Sequence, residues 1–297
     1  MSSFVRPDSR EQDPSAELPG READGPALIA TADDSAARIP AFSAHYRAVS
    51  PNLAIAPPVS VVIPAMNEAE NLPYVFRTLP DWIHEVVLVD GNSTDDTVQV
   101  ARELWPDVKV VKQVGKGKGD ALISGFAACT GDIIVMVDAD GSAHGEEIVS
   151  YVSALVGGAD FAKGSRFANC GGTDDMTPVR KLGNWALCAI VNRKFGARYT
   201  DLCYGYNAFW KHCLDKIVLD CSGFEIETLI NIRIVKAGLR VQEVPSHEYN
   251  RIHGVSNLSA VRDGIRVLKV ILREKAVPRS HRRPQVTGLN ARRGEAS

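Results

Sequence analysis

Short runs of aliphatic and β-branched residues recur along the chain, separated by longer stretches with apolar residues at helical spacing. The first run is Val59-Ser60-Val61-Val62-Ile63, closed by Pro64, and others occupy 85–90, 108–112 and 132–138. Runs of this length without polar alternation predict strands buried on both faces. Between them the pattern predicts helices over 71–79, 94–104, 120–129 and 146–156, with Ser93 and Asp96 at capping-box spacing. Further strands are expected over 160–163, 204–210 and 239–244, with longer helices over 178–195 and 224–237. Strand and helix alternate, so the chain reads as α/β. Right-handed crossovers then give a mostly parallel sheet with helices on both faces and ligands outside the carboxyl ends of the strands.

Both ends of the chain depart from this pattern. Residues 1–57 are rich in Ser, Ala, Pro, Asp and Glu, contain no Lys and hold no sustained apolar period. They are expected to form a disordered leader, because they have little apolar surface to offset the entropy of ordering. One folded α/β domain is expected over 58–257. Over 258–275 apolar residues at helical spacing alternate with Lys and Arg, predicting a basic amphipathic helix, and 276–297 read as a basic flexible tail. From Arg262 to Arg293 ten basic residues stand against Asp263 and Glu274. Such a helix can lie on an anionic membrane surface, where each nearby cation contributes about 1 kcal/mol. It can equally pack on the core and leave a solvated tail.

Composition narrows the function classes. The chain has 297 residues, 45% of them hydrophobic, enough for a substantial core. Lys plus Arg total 34 and Asp plus Glu 36, for a net charge of −2, so no chain-wide basic field exists to grip nucleic acid. The six cysteines form no CxxC pair, and no apolar stretch follows a basic start. A cytoplasmic protein is expected, with peripheral contact at the inner face of the membrane if the basic helix docks there. No run of eighteen apolar residues predicts a membrane span.

Asp138-Ala139-Asp140 closes the fourth predicted strand. Two carboxylates at a strand end suit Mg²⁺ or Mn²⁺, which is commonly held by one or two carboxylates plus the phosphate oxygens of a substrate. Such triplets are frequent in loops, and it is the position after the apolar run that sets this one apart. Glu68 follows the first strand, and Asp90, Asp95 and Asp96 end or follow the second. They can accept bonds from ribose or base, although acids are also favoured in the first turn of any helix. The run Gly115-Lys116-Gly117-Lys118-Gly119-Asp120-Ala121 opens a helix, so its amides and lysines can approach a phosphate. It lacks the full Walker pattern, and the first strand is not followed by GxGxxG. His247 and His253 have no companion ligands, no GxSxG elbow occurs, and Cys203 is expected to be a small buried thiol.

In order, the segments VSVVIPAMNEAENL, EVVLVDGNSTDDT, GKGKGDAL, IIVMVDAD, KGSRF, TDLCYGYNAFW, GFEIETLI and YNRIHGVSNL resemble family 2 glycosyltransferases, and within them the polyprenyl-phosphate sugar transferases. The resemblance covers about residues 59–272. It implies a GT-A (Rossmann-like) fold, a nucleotide-sugar donor such as GDP-mannose or a UDP-hexose, a divalent cation, and inversion through one in-line displacement. Pro64, Glu68 and Asp90 would line the nucleoside pocket, with Lys118 near phosphate and Asp138 and Asp140 at the diphosphate and metal. Arg166 and Arg180 would hold an acceptor phosphate, and Arg251 would steady phosphates in the active site, as forked guanidinium bonds allow. Asp201 would serve as general base for an alcohol acceptor, with Glu225 and Glu227 as further candidates or as helix-capping acids.

Three positions depart from the family pattern. Ser142 stands where Gln or His often supplies a third metal contact, leaving His144 as a substitute. Ser256-Asn257-Leu258 lacks a customary Lys, and Asn184 replaces a Ser. The implied acceptor is a polyprenyl phosphate; a soluble specialised metabolite and a catalytically silent nucleotide-sugar-binding protein are the alternatives.

Overall fold

The computed structural model describes residues 57–255 and 259–276. The expected leader up to residue 56, the tail beyond 276 and Ser256-Asn257-Leu258 lie outside the described residues.

The main sheet contains β1 (Val59–Ala65), β2 (Glu85–Asp90), β3 (Lys109–Lys112), β4 (Ile133–Met136), β5 (Phe161–Ser165), β7 (Asn207–Trp210) and β8 (Val241–Pro245). Its order is β3-β2-β1-β4-β7-β5-β8. The pairs β1–β2, β1–β4, β2–β3 and β5–β8 are parallel. β7 alone is antiparallel to its neighbours, with Met136 opposite Asn207 and Lys163 also opposite Asn207. The sheet is thus mostly parallel, as expected. The antiparallel strand could not be read from apolar periodicity, which carries no direction. Its consequence is local: β7 begins where β4 ends, so Gly205 lies beside Asp138 at the carboxyl edge. A small second sheet pairs β6 (Gly172–Thr173) with β9 (His247–Glu248).

Helices α1 (Leu72–Thr78), α2 (Thr97–Leu104) and α4 (Ile148–Val156) cover one face of the sheet. Helices α3 (Lys118–Ala128), α5 (Pro178–Phe195), α6 (Ile226–Lys236) and α7 (Ala260–Arg273) cover the other. Alternate strand residues feed separate cores: Val61, Ile63 and Leu88 pack toward α1 and α4, while Val62, Val87 and Val89 pack toward α3 and α6. This two-sided burial explains why the strands read as unbroken apolar runs.

Helix ends follow local chemistry. Thr177 caps α5 by accepting the Arg180 amide at 3.3 Å, Pro178 opens the helix, and Gly196 closes it with φ of 75°. The expected Ser93/Asp96 capping box does not form, and α2 begins at Thr97. Ser93 Oγ instead accepts from the Asn67 amide (3.0 Å), and Asp95 Oδ1 accepts from the Thr97 amide (3.1 Å). α7 buries Val267, Val270 and Ile271 against the second core. Among the described residues no helix is long and apolar enough to cross a membrane.

Candidate active site

A cleft of about 720 Å³ opens at the carboxyl edge of the sheet. Pro64, Glu68, Lys118, Asp138, Asp140, Arg166, Arg180 and Arg251 line it. Asp90 and Asp201, the other two expected site residues, do not. Asp90 stands just behind Gly91 and Asn92, which do line the cleft, and its Oδ1 accepts the Ser93 amide at 3.0 Å.

The first two strand-end loops are laced together. Asn67 and Asn92 take left-handed backbone (φ 59° and 65°), a conformation that Asn tolerates better than most residues. Asn67 Oδ1 accepts from the Thr94 amide at 2.7 Å, Thr97 Oγ1 from the Glu68 amide at 2.9 Å, and Asp95 Oδ2 from the Ala69 amide at 3.1 Å. Asp95 is therefore a loop clamp. Glu68, so positioned, pairs with Arg251 Nη1 through Oε1 at 3.0 Å.

Asp138 and Asp140 each face a built-in cation. Lys118 Nζ lies 2.6 Å from Asp138 Oδ1 and 2.6 Å from Glu227 Oε1. Burial alone would lower the pKa of this ammonium, but the two carboxylates outweigh it and raise the value, so Lys118 stays charged. Arg251 Nη2 reaches Asp140 Oδ2 at 3.2 Å. Asp140 Oδ1 accepts from the Ser142 amide (3.0 Å) and hydroxyl (2.6 Å), so Ser142 orients the carboxylate. His144 does not substitute at the metal position: its ring packs on Tyr249 with centroids 5.1 Å apart, and it is absent from the cleft lining. No cluster of three or more His, Cys, Asp or Glu able to hold a metal occurs among the described residues. Two accessible carboxylates nevertheless fit Mg²⁺ or Mn²⁺ whose remaining ligands are donor phosphates and water.

Glu227, considered in the sequence as a base or a helix acid, is buried in the first turn of α6 and holds Lys118. Glu225 is the residue preceding α6 and bonds the Gly223 amide at 3.3 Å. Gly205 permits the Lys118 cluster to form, since a Cβ there would lie 2.7 Å from Glu227 Oε1, 2.9 Å from Lys118 Nζ and 3.0 Å from Asp138 Oδ2. Gly117, at φ 88°, admits the turn into α3. Gln113 Nε2 secures that turn by donating to the Gly117 carbonyl at 2.8 Å.

Across the cleft, Arg166 makes a forked pair with Asp201, with Nε to Oδ2 at 2.7 Å and Nη2 to Oδ1 at 3.0 Å. Its Nη1 donates to Glu248 Oε2 at 2.9 Å. Asp201 is 0% exposed, and its oxygens also accept the Arg166 and Cys203 amides at 3.2 Å each. Burial would raise its pKa, but the bonds and charge of Arg166 hold it below the ordinary carboxylate value. This geometry corrects the general-base expectation: a buried, four-times-bonded, weakly basic carboxylate positions Arg166 and has no free path to a substrate hydroxyl. Arg180 turns toward the cleft from α5, steadied by the Asp175 carbonyl (2.8 Å) and carboxylate (3.0 Å).

Asn184 is buried and does not meet the cleft. Its Oδ1 accepts the Leu202 and Cys203 amides at 3.1 and 3.2 Å, tying α5 to the loop that carries Asp201. Cys203, expected to be buried, is exposed and lines the cleft, because its neighbours Leu202 and Tyr204 take the inward positions. Sequence reading missed Glu248, Asp175 and Gln113. Only Glu248 left a signal, lying directly before the YNRIHG segment.

A strand order reversing about β1 and β4, with a carboxylate pair and a group of Lys and Arg side chains at the carboxyl edge, defines a GT-A fold. The chain belongs to glycosyl transferase family 2, whose sequence model matches residues 60–217. It is 32% identical over 213 residues to glycosyltransferase AglJ of Haloferax volcanii, covering 69% of this chain and 68% of that one. It is 35% identical over 213 residues to polyprenol monophosphomannose synthase of Mycolicibacterium smegmatis (67% and 80% covered). Identity to dolichol-phosphate mannosyltransferase of Pyrococcus furiosus is 34% over 216 residues, spanning 67% of this chain and only 59% of that longer protein. In fold it resembles glucosyl-3-phosphoglycerate synthase of Mycobacterium tuberculosis, crystallised with Mn²⁺, UDP and glucosyl-3-phosphoglycerate. The TM-score is 0.60 at 22% identity, over 79% of this chain and 85% of that one.

Proposed function

We propose that the protein is an inverting hexosyltransferase that moves a sugar from a nucleotide diphosphate to a polyprenyl phosphate. The observation that carries this reading is the single cleft with two poles: Asp138 and Asp140 beside Lys118 and Arg251 at one, Arg166 and Arg180 at the other. Pro64, Glu68 and Asp90 would receive the nucleoside. Asp138 and Asp140 would hold Mg²⁺ or Mn²⁺, and the cation would supply charge neutralisation for the leaving diphosphate. Lys118 and Arg251 would turn to the diphosphate oxygens, while Arg180, with Arg166 behind it, would orient the acceptor phosphate. Catalysis is then mainly alignment and charge stabilisation.

An acceptor phosphate oxygen is already anionic near neutral pH and needs no general base. With Asp201 committed to Arg166, this favours phosphate over an alcohol acceptor. The names of the mannosyltransferase relatives support the same acceptor class, and the Mn²⁺ bound in the fold relative accords with a divalent ion. The reaction would run on the cytoplasmic side, with the protein at the inner face of the membrane.

The test is to incubate purified protein with GDP-mannose or UDP-hexoses and Mn²⁺ or Mg²⁺, with and without polyprenyl phosphate. Nucleotide release and organic-extractable sugar are then measured. Extractable product that requires both lipid and metal is expected. Nucleotide release only with a soluble alcohol, or donor binding without turnover, would overturn the reading.

A further inference from the structure

The KGSRF segment carries a second buried cation besides Arg166. Lys163 of β5 is 0% exposed, and its Nζ donates to the carbonyls of Gly164 at 2.6 Å and Tyr204 at 3.0 Å. No carboxylate pairs with it among the described residues. A buried ammonium without an ion pair works against folding, so its presence has to be explained by something other than stability. In the sheet it stands opposite Asn207, which is 1% exposed. Asn207 Nδ2 donates to the same Tyr204 carbonyl at 3.3 Å and to the Gly205 carbonyl at 3.1 Å. Two buried side chains thus hold one peptide group, the one joining Tyr204 to Gly205, by its oxygen.

In a trans peptide the carbonyl and the amide point opposite ways. With the Tyr204 oxygen held toward Lys163 and Asn207, the Gly205 N–H faces away from them, on the side where Gly205 lines the cleft. Gly205 is buried, yet its amide donates to no acceptor among the described residues. Buried amides without a partner are rare in folded proteins. A Cβ on Gly205 would lie 2.9 Å from Lys118 Nζ and 3.0 Å from Asp138 Oδ2, so this backbone stands directly beside the cation. The nearby carboxylates of Asp138 and Glu227 take Lys118 and leave the amide open. An acceptor that the amide and the ammonium can share is an anionic oxygen.

We propose that the Gly205 amide binds a phosphate oxygen of the donor diphosphate, and that Lys163, with Asn207, is the positioning residue that aims it. A cation on the carbonyl oxygen also polarises the peptide group and strengthens its N–H as a donor. The Lys163 charge thereby reaches the diphosphate without touching it. The inference rests on the proposed nucleotide-sugar donor for its ligand, and on the doubly held carbonyl and the open amide for its argument.

Tyr204-Gly205 is the only Tyr-Gly pair in the sequence. Labelling Tyr with ¹³C at the carbonyl and Gly with ¹⁵N therefore leaves one signal in a carbonyl-filtered amide spectrum, from this peptide alone. On titration of the full chain with GDP or UDP and Mg²⁺, that amide proton should move downfield. In Lys163→Met, which keeps the bulk and removes the charge, nucleotide affinity should fall about tenfold, the contribution of one hydrogen bond to a charged group. Its melting temperature should stay at or above that of the parent. The charge itself is tested by pH. Burial pulls the Lys163 ammonium below its ordinary value; Asp201, Glu243 of β8 and Glu227 of α6 oppose this, and Arg166 adds to it. Burial pushes the neighbouring Cys188 and Cys203 thiols up to about 12 and raises the Tyr204 phenol, so Lys163 titrates first. Nucleotide affinity in the parent should therefore decline below the ordinary lysine value of about pH 10.4, and the decline should vanish in Lys163→Met. Nucleotide binding that leaves the labelled amide unmoved would overturn the proposal and keep the donor reading. So would affinity and pH dependence indifferent to Lys163→Met, or a variant that melts early and loses binding in step. No nucleotide binding by the parent would reject the donor reading and the proposal with it.

Discussion

Asp140 is held from three directions, by the Ser142 amide and hydroxyl and by Arg251. Replacing it with Ala removes the oriented carboxylate and releases Arg251 Nη2, while Nη1 stays on Glu68, and it touches neither core. Asp140→Ala should lower nucleotide release on the order of 10²–10³-fold while the melting temperature stays near that of the parent; full activity would refute its role. Asp201 has the opposite profile. Asp201→Asn breaks a buried forked pair and leaves Arg166 with Glu248 as its one carboxylate partner, at a cost of about 3–5 kcal/mol in urea unfolding. Because Arg166 holds the Asp201 carboxyl below its ordinary value, the folded chain binds that proton less readily than the unfolded chain. The pair's contribution is therefore intact above about pH 4, the ordinary carboxylate value, and is lost as pH falls through the lowered one. Stability measured against pH should show that acid limb in the parent and a flatter one in Asp201→Asn. The sequence shows both residues plainly. What separates their roles is burial and the number of bonds each accepts, neither of which a one-dimensional pattern contains.

At the scale of elements, the loop before β7 depends on α5. Asn184→Ala would strip the Leu202 amide of its acceptor and leave the Cys203 amide to Asp201 alone, and a buried unpaired amide costs about 1–3 kcal/mol. The variant should melt earlier and lose turnover together, whereas turnover falling with an unchanged melt would point to direct substrate contact. Gly205→Ala forces a methyl against Glu227, Lys118 and Asp138. The side chains can yield, so stability should change little, but displacing them should slow transfer by up to about 10²-fold, read as kcat at saturating donor. Strands and helices were legible because two-sided burial writes itself as apolar runs; the predicted and observed limits of α5 coincide. The direction of β7, the small β6–β9 sheet and the start of α2 were not. The first depends on where the chain returns, the second spans only two residues per strand, and at the third Ser93 bonds the neighbouring loop while Asp95, which the capping-box pattern does not include, takes the Thr97 amide.

On the scale of the molecule, the cleft is assembled from residues as distant as Glu68 and Arg251, 183 positions apart. The segment after β9 is latched by Tyr249 to the Ser142 carbonyl (2.8 Å) and by a reciprocal pair of bonds between Asn71 and His253 (2.9 and 3.2 Å). Each motif could be found in the sequence, but its partner could not, since ion pairing across such separations leaves no periodic trace. Lys118 and Arg251 already occupy the two carboxylates proposed to hold a divalent ion, so a bare ion would have to compete with them, whereas a diphosphate would offer both cations new partners. Removing one competitor should therefore push two affinities in opposite directions. Calorimetric titration of Arg251→Gln should show Mn²⁺ alone binding more tightly than to the parent and a nucleoside diphosphate binding less tightly. Movement of both in the same sense would mean that the guanidinium is no rival of the metal but part of its support.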